Sequence, residues 1–548
     1  MKHNKKEMSN KYELYIKEGL TSIQNADYKK AKECFFECTK LSKTNIEAYI
    51  NLSNIFIIEN NIKKSTSILL NYLDKINYND AVALQLAKIY FNYNLNNELK
   101  KLFGIIKLDY SKPKKQFASL YHIQGRFYEK NSDFLNAKKS YKFAILCDNF
   151  YFDTYISLLN LLEFSNHLEE FKTYLSKGFK NFKNDDLKIL NYFKALLFFR
   201  NKDYEKSQKF IIEKKLSDLL KSNIKYYIKI NDLESKNEEK LKNYNSAFKK
   251  ITLRNKLIIN LRENKKYNKE KIINNFSSYK KFFIKKNINF INNNSNYEDD
   301  SKLIFLVGFP RSGTTLLDTI LRTHSKIRVL EEKPYLLELR HSFFQKNQNK
   351  LDSLYEIDQY EINHIRKSYF EKINFKHSDS GIVIDKLPLT ITELGFIKCV
   401  FPKSKVILAL RHPCDVVVSC YFSLFKTNDA MINFLDWNDT ISFYNNVFEL
   451  FEHYEKELDL NYYTIKYENL VSHFEKEIKI LLNFIGLEYE KELENFYSTA
   501  KSRVKISTPS YNQVINPLYS SSIGRWKNYK DINNPEQRLI KWIKKFNY

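Results

Sequence analysis

Cysteine is rare in this sequence, with 6 residues among 548, and so low a number does not indicate a disulfide-stapled scaffold. Cys34 and Cys38 lie one helical turn apart in ECFFECTKL, a spacing that two metal ligands could use. No second Cys/His pair has a matching spacing. We therefore interpret both thiols as small buried helix residues and predict no metal site.

Long apolar runs are also absent. No stretch of eighteen or more apolar residues occurs, so the sequence predicts no transmembrane segment. The N-terminal stretch MKHNKKEMSNKYELYIKEGL is basic but has no apolar signal core behind it. We therefore expect the protein to be made and kept in the cytoplasm.

Glycine (10 residues) and proline (9) are scarce, whereas Lys, Asn, Ile, Tyr and Phe are abundant. This bias is typical of AT-rich codons, so part of the net charge of +26 reflects genome composition. A basic chain can bind nucleic acid, but charge alone does not predict a specific nucleic-acid site here. The basic field favours an anionic substrate or cofactor.

The N-terminal part of the chain repeats itself at a period of about 34 residues. Two units share a glycine, an alanine and an aromatic residue at positions eight, twenty and twenty-four: Gly19, Ala31 and Phe35 in one, and Gly125, Ala137 and Tyr141 in the other. Short NADY, NSDF and NKDY segments supply turns. Each unit resembles a tetratricopeptide (TPR) repeat, which implies a stacked α-solenoid and, by analogy of fold, a protein partner. An irregular helical bundle is the alternative.

From about residue 215 the repeat fades into Lys/Asn-rich text in which apolar residues still recur at helical spacing. The tract NNNSNYEDDSK at 292–302 marks a second boundary. Because a chain of this length exceeds one ordinary core, several domains are expected. We predict a TPR-like repeat domain at 1–215, a helical connector at 216–300, and an α/β domain at 301–548.

The stretch VGFPRSGTTLLDTILRTHS, residues 307–325, predicts a strand, a loop and a helix. Gly308 and Gly313 have the G-x-x-x-x-G spacing of a phosphate-binding P-loop, but threonines stand where an ATPase has lysine and then Ser/Thr. The later strand VILAL ends in Arg411 and offers no acidic partner for Mg²⁺. The ATPase or kinase interpretation thus lacks both its lysine and its metal site. The start of the helix still suits an anion.

A second motif, ALRHPCDVVVSCYF, places a helix after Arg411 with Ser419 eight residues on, and Lys386 follows the short strand IVID. With these motifs, residues 307–530 resemble the sulfotransferase superfamily, whose sulfuryl donor is 3′-phosphoadenosine 5′-phosphosulfate (PAPS). The resemblance is to the tyrosylprotein-sulfotransferase-like group and its bacterial relatives with N-terminal TPR repeats. It implies a P-loop-type parallel-sheet α/β fold after the solenoid.

The resemblance also assigns roles to single residues. In the first loop, the 5′-phosphosulfate would be held by Arg311, Ser312, Gly313, Thr314 and Thr315. Arg411 and Ser419 would bind the 3′-phosphate. Glu332 in VLEEKP would take the proton of the acceptor hydroxyl, with its neighbour Glu331 left open as the base. Lys386, together with Arg311, would stabilise charge on the sulfuryl group and the leaving phosphate.

The C-terminal stretch VINPLYSSSIGRWKNY resembles the family segment that closes over the nucleotide. The tyrosine-sulfating enzymes have a serine two residues before the tryptophan, whereas this chain has Gly524. Ser520, Ser521 and Ser522 lie nearby. Arg525 is expected to add charge to the donor site instead.

Sulfuryl transfer requires fixed cations and N–H donors around the leaving phosphate, and a base for the acceptor alcohol. A sulfuryl group carries less charge than a γ-phosphoryl group, so a divalent metal is dispensable. The leading hypothesis is a PAPS-dependent sulfotransferase that acts on a hydroxyl of a peptide or protein, such as a tyrosine, or of a glycan. A TPR interaction scaffold with a catalytically inactive nucleotide-binding domain is the alternative, and a P-loop kinase or ATPase ranks third.

Overall fold

A computed structural model describes residues 2–76, 79–106, 110, 113–293, 300–348, 350–375, 381–502, 518 and 522–548. The chain folds as two compact units, Met1–Lys194 and Ala195–Tyr548. This division falls ahead of the boundary predicted at residue 215. Within the described residues, no helix is both long enough and apolar enough to cross a membrane.

The first unit is built from helices that pack in successive antiparallel pairs. They are α1 (Lys2–Gln24), α2 (Tyr28–Leu41), α3 (Ile46–Ile58), α4 (Ile62–Ile76), α5 (Asp80–Asn92), α6 (Asn96–Ile106), α7 (Ala118–Lys130), α8 (Phe134–Cys147), α9 (Phe152–Phe164), α10 (Leu168–Asn181) and α11 (Asp185–Arg200), the last of which runs past the boundary between the units.

Small residues let the paired helices of the first unit approach closely. A Cβ atom at Gly19 would lie 2.8 Å from the ring of Phe35, and one at Gly125 would lie 2.5 Å from the ring of Tyr141. Both aromatic rings are completely buried. The glycine at position eight is thus required because the aromatic side chain at position twenty-four occupies its space.

The repeated turns share one backbone conformation. In the NADY, NSDF and NKDY turns, the residue before the aspartate has a left-handed φ: 58° at Ala26, 67° at Ser132 and 63° at Lys202. The aspartate then accepts a hydrogen bond from a backbone N–H in the first turn of the next helix: Asp27 from Lys30, Asp133 from Asn136 and Asp203 from Lys206. The turn segments therefore act as N-caps of the second helix of each pair.

The second unit contains further helices and the only strands among the described residues. Its helices before the sheet are α12 (Tyr204–Glu213), α13 (Leu216–Leu219), α14 (Ile224–Lys240), α15 (Tyr244–Ile259), α16 (Ile273–Phe282) and α17 (Lys285–Asn293). The strands are β1 (Leu303–Gly308), β2 (Ile327–Glu331), β3 (Ile382–Lys386), β4 (Lys405–Leu410) and β5 (Tyr462–Lys466). The remaining helices are α18 (Thr314–Leu321), α19 (Tyr335–Lys346), α20 (Gln359–Lys372), α21 (Leu394–Val400), α22 (Pro413–Phe422), α23 (Trp437–Glu457), α24 (Tyr467–Ser472), α25 (Phe474–Ile485), α26 (Phe496–Ser502) and α27 (Glu536–Lys545).

The five strands form one parallel sheet in the order β2-β3-β1-β4-β5. Every residue of β1 and β3 is buried, as expected for strands covered by helices on both faces. From β1 the chain passes to the edge strand β2 and returns to β3 beside β1; it then crosses to β4 on the other side of β1 and continues outward to β5. The carboxyl ends of neighbouring strands on both sides of this switch point therefore meet at one edge, where ligands bind in open α/β sheets.

The predicted fold class, helical repeats followed by a parallel-sheet α/β domain, is confirmed. Helices α15, α16 and α17, within the predicted connector, contribute Phe248, Phe276 and Ile288 to the same hydrophobic core as Phe305 of β1. Their apolar residues recur at helical spacing because one face of each helix is buried in this core.

Candidate active site

The loop between β1 and α18 follows a tightly constrained path. A Cβ atom at Gly308 would lie 2.6 Å from the carbonyl oxygen of Ala409 on β4, so no larger residue fits. Gly313 has φ +94°, and its Cβ would lie 3.0 Å from the Tyr467 ring. Arg311 also adopts a positive φ of 72°. The loop therefore delivers the N-terminus of α18, where the first N–H groups of a helix have no partner within the helix itself, to the carboxyl edge of the sheet.

Three residues predicted to hold the donor meet at this edge. The Nε of Arg311 donates a hydrogen bond to Oγ of Ser419 at 2.9 Å, although 108 residues separate them. Nη1 of Arg411 lies 3.5 Å from the carbonyl oxygen of Arg311. The loop after β1 and the helix after β4 thus present two guanidinium groups and a hydroxyl together. Ser312, Thr314 and Thr315, also predicted in this loop, are buried beside them.

Arg411 is nearly buried, and its guanidinium lies over the ring of Tyr467 at 5.1 Å. Its Nη2 donates to the carbonyl oxygen of Ser522 and lies 3.8 Å from Oδ2 of Asp415. Its Nε, although buried, has no hydrogen-bond partner among the described residues. Because buried donors are nearly always paired, this arrangement fits an anionic ligand that accepts from Nε.

Lys386 forms the second cluster of charges, at the carboxyl end of β3. Its side chain is completely buried, and its Nζ lies 3.0 Å from Glu332, 3.7 Å from Asp318 and 3.8 Å from Glu331. The register of the sheet sets the pairing, since Glu331 on β2 is opposite Lys386. One buried ammonium group is therefore surrounded by three carboxylates, which stabilise its charge.

The two glutamates differ in backbone and exposure. The N–H of Glu332 donates to the carbonyl oxygen of Lys386 at 2.8 Å, and Glu332 has a left-handed φ of 49°. Its side chain is 31% exposed, whereas that of Glu331 is 11% exposed. The bend after β2 therefore leaves Glu332 as the more accessible carboxylate next to Lys386.

Sequence reasoning missed Asp318 on α18, whose side chain is completely buried. Its Oδ1 accepts from Nε of Arg322 at 2.7 Å, one turn later on the helix, while its Oδ2 faces Lys386. The i, i+4 spacing of Asp318 and Arg322 was a signal for their pairing. Nothing local in the sequence indicated that the same carboxylate reaches β3.

Asp415 on α22 is a second missed residue. Its two carboxylate oxygens accept from the N–H groups of Gly524, at 2.7 Å, and of Trp526, at 2.9 Å. This contact holds the C-terminal segment next to Arg411. Gly524, which stands where the tyrosine-sulfating enzymes have serine, has a left-handed φ of +73° that glycine adopts without strain.

Arg525 lies in this segment but pairs elsewhere. Its Nη2 donates to Oε2 of Glu239 on α14 at 2.9 Å, and its Nε donates to the other carboxylate oxygen. Donor binding by Arg525 remains a prediction, and the structure gives its guanidinium a protein partner. Ser520 and Ser521 lie outside the described residues. Ser522 contacts Arg411 through its carbonyl group.

Residues 304–491 match the model of the sulfotransferase family. This segment of the second unit is similar to the sulfotransferase family. This confirms the predicted family resemblance. In the described part of the chain, no group of three or more His, Cys, Asp or Glu residues is arranged to hold a metal ion.

Three relatives show how far the similarity to known proteins extends. An uncharacterized protein of Aquifex aeolicus is 28% identical over 247 residues, which are 43% of this chain and 32% of that protein. Protein-tyrosine sulfotransferase 1 of Danio rerio is 27% identical over 243 residues, 42% of this chain and 67% of the relative. The human protein-tyrosine sulfotransferase 1 is 27% identical over 244 residues, 42% and 64% of the two chains. The chain thus spans about a third of the first relative and about two thirds of the others.

Proposed function

We propose that this protein transfers a sulfuryl group from PAPS to a hydroxyl group. The observation that carries the proposal is the meeting of Arg311, Arg411 and Ser419 at the carboxyl edge of the sheet, with a buried Nε of Arg411 left for an anion. The match to the sulfotransferase family supports the same reaction. PAPS supplies the sulfuryl group as part of a phosphosulfate anhydride.

In this proposal the two clusters have different tasks. Arg311, Ser312, Gly313, Thr314 and Thr315 hold the 5′-phosphosulfate. Arg411 and Ser419 hold the 3′-phosphate, the group that separates this donor from ATP. Fixed guanidinium groups and helix N–H groups stabilise the charge that grows on the leaving phosphate, without reorganising during the reaction.

The Lys386 cluster activates the acceptor. Glu332 takes the proton of the attacking hydroxyl. The positive charge of Lys386 stabilises the negative charge on the sulfuryl group during transfer. Nζ of Lys386 lies 3.0 Å from this carboxylate, so both side chains can contact the same reacting group. The acceptor is a hydroxyl of a peptide, a protein or a glycan, and the protein-tyrosine sulfotransferase relatives favour tyrosine.

Titration calorimetry with adenosine 3′,5′-bisphosphate, the product nucleotide, tests the proposal. Binding without added metal, weak or no binding of ATP, and loss of binding in Arg411→Ala are expected. Arg538→Ala, which removes an exposed arginine from α27, is the matched control and should bind as the wild type does. If the bisphosphate does not bind, or if ATP with Mg²⁺ binds equally well, the proposal is wrong.

We also propose that the helical pairs of the first unit bind a protein partner. A groove of about 410 Å³ lies between α3 and α5, and Ile57, Lys88 and Tyr93 are among its lining residues. Stacked TPR-like helices commonly use such a surface for peptides. Peptides selected from an array should lose affinity for Lys88→Glu, and unchanged affinity would place the partner on another surface.

A further inference from the structure

The hairpin formed by α14 and α15 precedes the sulfotransferase match at 304–491, yet it packs on two elements of the candidate active site. One element is α22, whose last turn contains Ser419. The other is the closing segment, defined as residues 522–529, which contacts Arg411 and Asp415. The hairpin contacts each element through a charged side chain of its own.

Arg254 of α15 makes the contact with α22. It is completely buried, and its guanidinium donates to the carbonyl oxygens of Phe422 at 3.1 Å and Tyr421 at 3.2 Å. These are terminal carbonyls of α22 that have no partner within the helix. A cation at this position also suits the negative end of the helix dipole. Asp232 of α14 pairs with the guanidinium and neutralises it.

The last turn of α22, which Arg254 caps, contains Ser419, one of the residues proposed to bind the donor nucleotide. Ser419 accepts, through its carbonyl oxygen, a hydrogen bond from Oγ of Ser423 at 2.7 Å, and the carbonyl of Ser423 lies 3.4 Å from Nη2 of Arg254. The orientation of Ser419 therefore depends on a helix end that Arg254 holds.

Glu239 of α14 makes the contact with the closing segment. Its carboxylate receives both Nε and Nη2 of Arg525 and the hydroxyl of Tyr529, the last at 3.0 Å. Burial by itself raises the pKa of Glu239, but the charge and hydrogen bonds of Arg525 outweigh it and hold that pKa below its ordinary value. A bidentate pair of this kind fixes the geometry of both partners.

Arg525, which pairs with Glu239, lies between the two residues that connect the closing segment to the donor site. The N–H groups of Gly524 and Trp526, on either side of it, bond to Asp415, and Ser522 receives Nη2 of Arg411. Displacement of Arg525 would therefore shift the backbone against which Arg411 is oriented.

We propose that Glu239 and Arg254 are positioning residues of the donor-nucleotide site, which they orient through the closing segment and α22. The inference rests on the proposed function. Neither residue touches the reacting group, so both act on the binding of the donor and leave the chemical step unchanged. A variant should show a higher KM for PAPS and a higher Kd for adenosine 3′,5′-bisphosphate, with kcat at saturating PAPS retained.

Glu239→Gln is the test, because it keeps the shape of the side chain and removes its charge. The matched control is Glu234→Gln on the same helix. Glu234 pairs with Lys250 of α15 at 2.8 Å, inside the hairpin, and also accepts a hydrogen bond from Ser217 of α13. Among the described residues, no hydrogen bond or ion pair joins its side chain to α22 or to the closing segment. We expect Glu239→Gln to raise the Kd for the bisphosphate about tenfold and Glu234→Gln to leave it within about twofold of the wild-type value.

Other outcomes would contradict the inference. Wild-type affinity in Glu239→Gln overturns the inference, and so does an equal loss in both variants with equal decreases in Tm. If Glu239→Gln does not fold, Glu239→Asp, which keeps a partner charge for Arg525 but shortens the side chain that holds it, is titrated instead. About tenfold weaker binding in it supports the inference, and unchanged binding overturns it. Failure of the wild type to bind the bisphosphate would refute the proposed function itself.

Discussion

Replacement of Glu332 by glutamine separates a catalytic base from a charge that merely accompanies Lys386. Glutamine keeps the size of the side chain and can still accept a hydrogen bond from Nζ of Lys386, now 3.0 Å away. It cannot take a proton from the acceptor hydroxyl. A positioned general base contributes about 10²–10⁴-fold, so kcat should fall by that factor, which corresponds to about 3–5 kcal/mol in the barrier.

Glu331→Gln is the matched control because its electrostatic effect on Lys386 is nearly the same. At an effective dielectric constant of about 20, attraction across 3.0 Å and 3.8 Å is worth about 5.5 and about 4.4 kcal/mol before screening by water. The difference of about 1 kcal/mol corresponds to less than about tenfold in rate. A purely electrostatic role therefore predicts similar losses in the two variants, whereas a base predicts a large loss at Glu332 alone.

The assay is steady-state transfer of labelled sulfate from PAPS to a library of tyrosine-containing peptides. Titration with adenosine 3′,5′-bisphosphate should show that both variants bind the nucleotide as the wild type does. Equal losses of kcat in the two variants, or full activity of Glu332→Gln, would refute the assignment of the base to Glu332.

Three further predictions concern stability. Burial raises the pKa of Asp385 to about 7, so the stability that this group contributes is fully present below about pH 4 and is lost as pH rises through about 7. In urea unfolding at several pH values, Asp385→Asn should therefore remove up to about 4 kcal/mol of the pH dependence of the unfolding free energy, and a pH dependence equal to that of the wild type would contradict the prediction. Gly313→Ala should destabilise by more than the about 1–2 kcal/mol expected for Gly486→Ala and should weaken nucleotide binding: both have positive φ, but only Gly313 faces a side chain, that of Tyr467, within 4 Å. Gly104→Ala should raise the unfolding free energy by up to about 1 kcal/mol, because a Cβ there meets no atom within 4 Å, and a lower thermal midpoint would contradict it.

Local patterns predicted what the backbone decides over short distances. The 34-residue period predicted helix pairs with a glycine facing an aromatic, and Gly19 does face Phe35. The G-x-x-x-x-G spacing predicted a strand–loop–helix, and Gly308 and Gly313 adopt positions that exclude a larger residue. Such features follow from steric and hydrogen-bonding rules within a few residues, which a sequence displays directly.

The candidate site was predictable only where a family motif recorded it. Arg311, Arg411 and Ser419 were selected from two motifs, and the parallel order of β1 and β4 brings these motifs side by side. Asp318 was not selected, because its approach to Lys386 depends on how α18 packs over β3, and a single carboxylate on an apolar helix carries no signal of that packing.

By itself, the sequence determined the elements: the repeated helices, the glycine-bounded loop before α18, the buried strands and the residues at their ends, because side-chain period and turn chemistry act locally. Only the tertiary structure decided the partners. Arg525 and Glu239 are 286 residues apart, and each could have faced water or another charge. Burial between α14 and the closing segment makes an unpaired charge costly, so the packing of distant elements selected this pair and assigned Arg525 to Glu239.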